Sequence, residues 1–251
     1  MVRLIVALGI ALAITVVNAQ DSCKTVSTVE NFDIEKYASK PWYIQQQAVT
    51  SYSPLSQNYC TRAKYKVRKS ATIPWGYTVN VNNYAEDSNG NTFGGPLCAY
   101  QTSASKSKLA VAPCFLPKFA AGPYWIIAYD ETEGYALVSG GQPTIKGNDG
   151  GCKTGTGTNK SGLWIFTRAQ KRDDTLVNKV RSIAQAAGFD LSVLNDVVQE
   201  GCDQDLQSCK DQTEKFKVWF GGERDCNWVD QFRVIRCALY GDNCRETCGK
   251  C

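Results

Sequence analysis

Between positions 41 and 168 the chain alternates apolar and polar residues with a period of two, and turn-forming residues interrupt the pattern every eight to twelve positions. That period marks strands with one buried face, and short strands at such intervals belong to barrels and sandwiches rather than to helical or βαβ folds. Residues 61–68 show it well, with Ala63, Tyr65 and Val67 on one face and Arg62, Lys64, Lys66 and Arg68 on the other. Tyr77, Val79, Val81 and Asn83 then alternate with Thr78, Asn80 and Asn82, until the cluster Asp87-Ser88-Asn89-Gly90-Asn91 predicts a turn. With 42–47, 96–102, 108–115, 124–129, 135–139 and 163–167 the runs number eight. Eight short strands predict an all-β barrel or sandwich.

The period changes after Arg168. Leu176, Val180, Ile183, Ala184 and Ala187 follow a helical spacing, Asp173 and Asp174 stand where acidic caps are favourable, and Gly188 stands where the helix should stop. A second short helix is expected from Asp190, with Phe189 and Leu194 as a hydrophobic staple around that cap. One amphipathic helix after eight strands predicts a closed barrel with the helix packed outside it.

Twelve cysteines and no histidine limit the chemistry further. Without histidine there is no Ser-His-Asp or Cys-His set and no histidine-ligated metal. The Cys-x-x-x-Cys-x-x-Cys ending lacks a paired zinc knuckle, and an even cysteine count with no Asp or Glu on the predicted inner faces singles out no catalytic residue, so neither a metal nor a catalytic residue is predicted. The even cysteine count suits disulfides in an oxidising compartment. Met1, Val2 and Arg3 lead into an apolar run from Leu4 to Val17, followed by Val17-Asn18-Ala19 at a cleavage-type site. Residues 1–19 therefore read as a signal peptide of a secreted, extracellular protein. The run of about 14 residues is shorter than the roughly 20 that span a bilayer, and no transmembrane segment is expected elsewhere. A formal charge of +4 with Lys and Arg interspersed among Asp and Glu gives no footprint for nucleic acid. Six of the cysteines fall at 209–251, in a stretch with too few apolar residues for a core, which predicts a disulfide-stapled module at 203–251 after a barrel domain at 20–202.

Three motifs in order resemble the lipocalin family. Asn31-Phe32-Asp33 through Tyr37 to Pro41-Trp42-Tyr43 resembles its first motif, with Ser39-Lys40-Pro41 in place of the glycine before the tryptophan. Gly122-Pro123-Tyr124-Trp125-Ile126-Ile127-Ala128-Tyr129-Asp130, followed by Tyr135-Ala136-Leu137-Val138, resembles the second, and Leu163-Trp164-Ile165-Phe166-Thr167-Arg168 the third. The stretch from Ala187 to Cys202 is similar to the C-terminal part of apolipoprotein D and bacterial lipocalins. The resemblance covers about residues 23–202 and implies an eight-stranded antiparallel up-and-down barrel, a calyx, with one flanking C-terminal helix. It gives Trp42 and Arg168 a structural role, the guanidinium lying over the indole at the closed end. Cys244-Arg245-Glu246-Thr247-Cys248-Gly249-Lys250-Cys251 resembles the ending of the ShK-type module, though its internal spacings differ and no central Lys-Tyr pair is matched.

Cys98 and Cys114 lie symmetrically about Lys106 and are expected to face one another across a hairpin. The lipocalin resemblance implies Cys60 with Cys202 and leaves Cys23 with Cys152, while the ShK-type resemblance implies Cys209 with Cys251, Cys226 with Cys244 and Cys237 with Cys248; other connectivities stay open. Alternation nominates Tyr65, Val67, Tyr77, Val79, Val81, Trp164 and Phe166 as the ligand-binding lining, with Tyr100, Tyr124, Ile126 and Leu137 beside them. Such a lining suits a lipid, sterol, retinoid or carotenoid-type ligand. Asn159-Lys160-Ser161 is a glycosylation sequon. The leading expectation is a secreted carrier of a small hydrophobic molecule, needing no cofactor. Two alternatives stand beside it: a lipocalin-fold enzyme of the isomerase or de-epoxidase type, acting on a lipid or carotenoid, and a protein-interaction role in which the ShK-like tail meets an extracellular partner.

Overall fold

The computed structural model of the protein describes residues 22–68, 74–148, 150–202, 211–218, 221–241 and 243–248. The expected signal peptide and the cysteines at 209 and 251 lie outside the described residues. Eight strands occur in the positions read from the alternation: β1 Trp42–Ala48, β2 Tyr59–Val67, β3 Val79–Glu86, β4 Thr92–Thr102, β5 Ser105–Pro113, β6 Gly122–Asp130, β7 Tyr135–Ser139 and β8 Leu163–Thr167. Each pairs antiparallel with its sequence neighbour, and β8 pairs back onto β1 through Tyr43 with Thr167 and Gln47 with Trp164. The sheet is a closed barrel, and closure removes the unpaired edges that would otherwise recruit other chains.

The helix α1, Ile34–Tyr37, starts where the Asp33 carboxylate accepts from the backbone N–H groups of Glu35 and Lys36, and it delivers the buried Tyr37 to one end of the barrel. There the Trp42 indole donates to the Tyr37 carbonyl at 3.0 Å, and the Arg168 guanidinium lies 3.6 Å from the Trp42 ring centroid. Arg168 also donates to the carbonyls of Tyr37 (3.0 Å) and Pro41 (3.1 Å) and pairs with Glu131 at 2.7 Å. Burial with this many partners makes Arg168 a bolt across the closed end. The opposite end is framed by the connections at 49–58, 87–91, 114–121 and 140–162.

The second helix, α2, Asp174–Ala186, is capped by the Asp173 side chain, and Gly188 with φ of 92° terminates it. Its Val180 and Ala184 pack on Leu137, Leu163 and Ile165 of the outer wall. The helix expected from Asp190 is instead one 3-10 turn, Leu191–Val193, after which the chain becomes strand β9, Leu194–Asp196. The reason lies in the wall. β1 and β2 pair only through Trp42 with Ala63 and Tyr43 with Arg62, then diverge, and their free backbone groups need partners. The returning segment supplies them. β9 pairs with β1, the Val197 N–H donates to the Gln45 carbonyl, the Cys60 N–H donates to the Val198 carbonyl, and the Gln199 amide donates to the carbonyls of Ile44 and Thr61.

Disulfides join Cys23 to Cys152, Cys60 to Cys202, Cys98 to Cys114, Cys226 to Cys244 and Cys237 to Cys248. Cys98 stands opposite Ala112 rather than Cys114, so that bridge is diagonal, because the hairpin turns between Thr102 and Ser105. Beyond Cys202, a small two-stranded ribbon and the helices α3 Cys226–Asp230, α4 Arg233–Tyr240 and α5 Arg245–Cys248 gather Phe216, Val218, Val229 and the bridged cysteines into a core of their own. Among the described residues no helix is long and apolar enough to cross a membrane.

Candidate functional site

Register decides which side chains enter the barrel. Val67 faces Val79, Tyr65 faces Val81, Val81 faces Leu97, Val79 faces Ala99, Ala99 faces Val111, and Trp164 faces Val138. The lower interior is filled: Tyr37, Trp42, Ile44, Ala63, Tyr65, Val79, Val81, Leu109, Ile126 and Phe166 are all buried in one cluster with the plug residue Phe32. Leu97, Val111, Tyr124 and Trp164 pack on the same cluster but are only partly buried. A side chain that points into a closed barrel meets solvent through its ends alone, so these four outline a cup at the open end. Trp164 and Tyr124 stack there with centroids 6.3 Å apart. Gly162, with φ of 102°, lies under the Trp164 ring, where any Cβ would collide with it.

The cup has a polar floor. The Tyr124 hydroxyl is hydrogen-bonded to the hydroxyl of Tyr37 at 2.8 Å and to that of Tyr65 at 2.6 Å. Burial raises all three phenols well above the ordinary tyrosine range, Tyr65 to about 12, so the trio is neutral at physiological pH. Among the described residues the inward positions of the strands carry no carboxylate and no lysine or arginine. The rim is cross-tied. The Ser51 N–H donates to the Thr156 carbonyl at 2.7 Å, the Tyr52 hydroxyl donates to the Ser161 carbonyl at 3.2 Å, and the Gln47 amide donates to Asn58 at 2.7 Å.

Of the residues nominated from the sequence, Tyr65, Val79, Val81, Tyr124, Ile126, Trp164 and Phe166 share the interior cluster, and Val67 shares its face at the edge. Three do not. Leu137 points outward beneath α2, because its neighbours Ala136 and Val138 face the interior and it stands opposite the outward Ile165. Tyr100 shares the parity of Cys98 and lies on the outer wall, and Tyr77 packs with both around the Cys98–Cys114 bridge, its hydroxyl donating to the Leu116 carbonyl at 3.1 Å. Leu97 and Val111 were missed. Once the bridge fixes Cys98 outward, alternation alone places Leu97 and Ala99 inside, so the signal was present in 96–102. Asn159 is exposed in the rim loop, its side chain lying over Gly122. Among the described residues no group of side chains could hold a metal ion.

No protein-family model matches the chain, and no curated protein matches it in sequence. Solved structures do. Apocrustacyanin C1 matches with 19% identity and a TM-score of 0.51, covering 74% of this chain and 95% of its own. Lobster apocrustacyanin A1 matches with 20% identity and a TM-score of 0.47, over 66% and 79% of the two chains. Insecticyanin from the tobacco hornworm Manduca sexta gives 16%, 0.48, 70% and 85%. The first of these likenesses shows that the barrel has the lipocalin fold.

Proposed function

We propose that the chain is a secreted lipocalin that binds and carries a small hydrophobic ligand in the cup at the open end of its barrel. One observation carries the reading: Leu97, Val111, Tyr124 and Trp164 form a half-open apolar wall on an otherwise filled interior, with no charged side chain on the inner face of the strands. Apolar walls with a few placed polar groups are what small-molecule sites are made of. The hydroxyls of the tyrosine floor suit a ligand that carries one oxygen at its leading end, such as a retinoid, sterol or oxygenated carotenoid. The lack of an inner carboxylate supports binding over acid–base chemistry. Five disulfides among the described residues support an oxidising, extracellular setting. In this reading residues 1–19 are the signal peptide, 20–202 the barrel domain and 203–251 an ShK-like module that contacts an extracellular protein, with Asn159 as the glycosylation site.

Titration of the intact protein with all-trans-retinol, followed by tryptophan quenching, tests it. Saturation at one ligand per chain is expected, and Val111→Trp, which fills the cup, should abolish it while leaving circular dichroism unchanged. Equal quenching of that variant, or none by the natural chain across retinol, cholesterol and β-carotene, sinks the reading.

A further inference from the structure

The outer wall of β2 and β3 and the helices α3 and α4 of the tail enclose a cleft on the outside of the barrel. Asp230, at the end of α3, is buried in it. Asn80 donates to its Oδ1 at 3.2 Å, Arg68 pairs with its Oδ2, and the Lys66 ammonium stands 3.7 Å from that same oxygen. Arg233, at the start of α4, is only 8% exposed, and its Nε lies 3.9 Å from Asp230 Oδ1, beyond hydrogen-bond reach and without any partner. Burial, with the neighbouring charge of Arg68 added, lowers its pKa to about 10, which leaves it a cation at neutral pH. A buried guanidinium nitrogen without a hydrogen bond is costly, Asp230 already accepts from Asn80 and pairs with Arg68, and Asp211 is the second carboxylate that acts on Arg233. The cleft therefore sets three cations, Lys66, Arg68 and Arg233, against two carboxylates, Asp211 and Asp230, and leaves the Arg233 Nε without a hydrogen bond.

What lies on either side of Arg233 specifies the complement. Toward Lys40 and Asn82 the cleft opens into a polar space of about 560 Å³. On its other side a groove of about 240 Å³ is walled by Trp75, Phe115, Phe232 and Ile235, four large apolar side chains that are all exposed. The groove is built rather than incidental, since the Trp75 indole donates to the Phe115 carbonyl at 3.1 Å and so fixes two of its walls. An apolar trough that ends at an excess of positive charge, with one guanidinium nitrogen still unbonded, fits one chemistry.

We propose that this cleft is a second binding site, separate from the barrel mouth, for an anionic amphiphile whose carboxylate or phosphate headgroup meets Arg233 and whose alkyl chain lies along Trp75, Phe115, Phe232 and Ile235. Calorimetric titration of the full chain with sodium dodecanoate, dodecyl phosphate, 1-dodecanol and inorganic phosphate tests it and separates the two headgroups. A charge-assisted contact predicts that at least one of the charged amphiphiles binds about tenfold or more tighter than dodecanol, and that Arg233→Gln erases the difference. Ile235→Gln, on an exposed helix position, should weaken every alkyl probe while leaving the preference for charge. Three outcomes overturn the proposal: no binding of either charged probe, dodecanol binding as tightly as both, or unchanged binding in both variants. Inorganic phosphate binding as tightly as dodecyl phosphate would also overturn it, by showing a plain anion site.

Discussion

Tyr37, Tyr65 and Tyr124 show how position within the barrel sets the chemistry of one residue type. Their hydroxyls meet under the cup, and burial opposes the loss of a proton from each. In the unfolded chain a tyrosine ionises near pH 10, about its ordinary value, whereas in the folded barrel Tyr65 holds its proton to about 12. Between those values the unfolded state binds fewer protons than the native one. The stabilisation from these phenols is therefore complete below about pH 10 and is lost as the pH rises toward the folded values. Ultraviolet titration of tyrosinate in the intact protein should show a class of tyrosines that ionises only as the fold opens, and Tyr65→Phe should shrink that class and flatten the alkaline fall in stability. All tyrosines titrating together near their ordinary value, with the fold intact, would contradict it. Nothing in the sequence brings these three together, since they stand 28 and 59 positions apart along the chain.

At the scale of elements, the strands were legible because a half-buried strand writes its burial directly into a period of two. The face each residue occupies was legible only where the ladder is regular. The bulge in β6 shifts its register against β7 after Ile126, so that Ile126 and Tyr129 both face inward, while Leu137, between the inward Ala136 and Val138, belongs to the seat of α2. Leu137→Ala should therefore destabilise the protein by about 2–5 kcal/mol in urea denaturation, as cavity-forming substitutions do, and leave retinol quenching unchanged. A loss of ligand affinity with undiminished stability would return Leu137 to the pocket. The segment after α2 illustrates the other kind of failure. Residues 190–194 carry a good helix start, with Asp190 capping Ser192, but the open backbone of β1 and β2 draws the chain into the sheet after one turn.

For the whole molecule, the disulfide between Cys60 and Cys202 joins the start of β2 to the end of the segment that completes the wall, across a sequence separation of 142. In the chain-entropy view a bridge over so long a loop contributes about 4–5 kcal/mol. Replacing both cysteines with alanine is expected to lower the urea midpoint and to speed hydrogen exchange of the position-60 and Val197 amides, whose hydrogen bonds tie the inserted segment to β2 and β1. Unaltered exchange there would mean that hydrogen bonding alone holds the wall closed.

The amino-acid pattern by itself determined the strand count, the helix that follows, the absence of histidine chemistry and the richness in cysteines that the disulfides draw on, because each depends on local periodicity or on composition. Tertiary structure alone decided three things. It filled the lower barrel and left a cup, through side-chain volumes that meet only once eight strands close. It placed the returning segment in the wall, because backbone groups freed by the divergence of β1 and β2 must be satisfied. It set Arg233 in a cleft beside Asp230 with its Nε out of hydrogen-bond reach, since the hydrogen-bonded partners of that carboxylate come from β2 and β3, some 150 positions earlier in the chain.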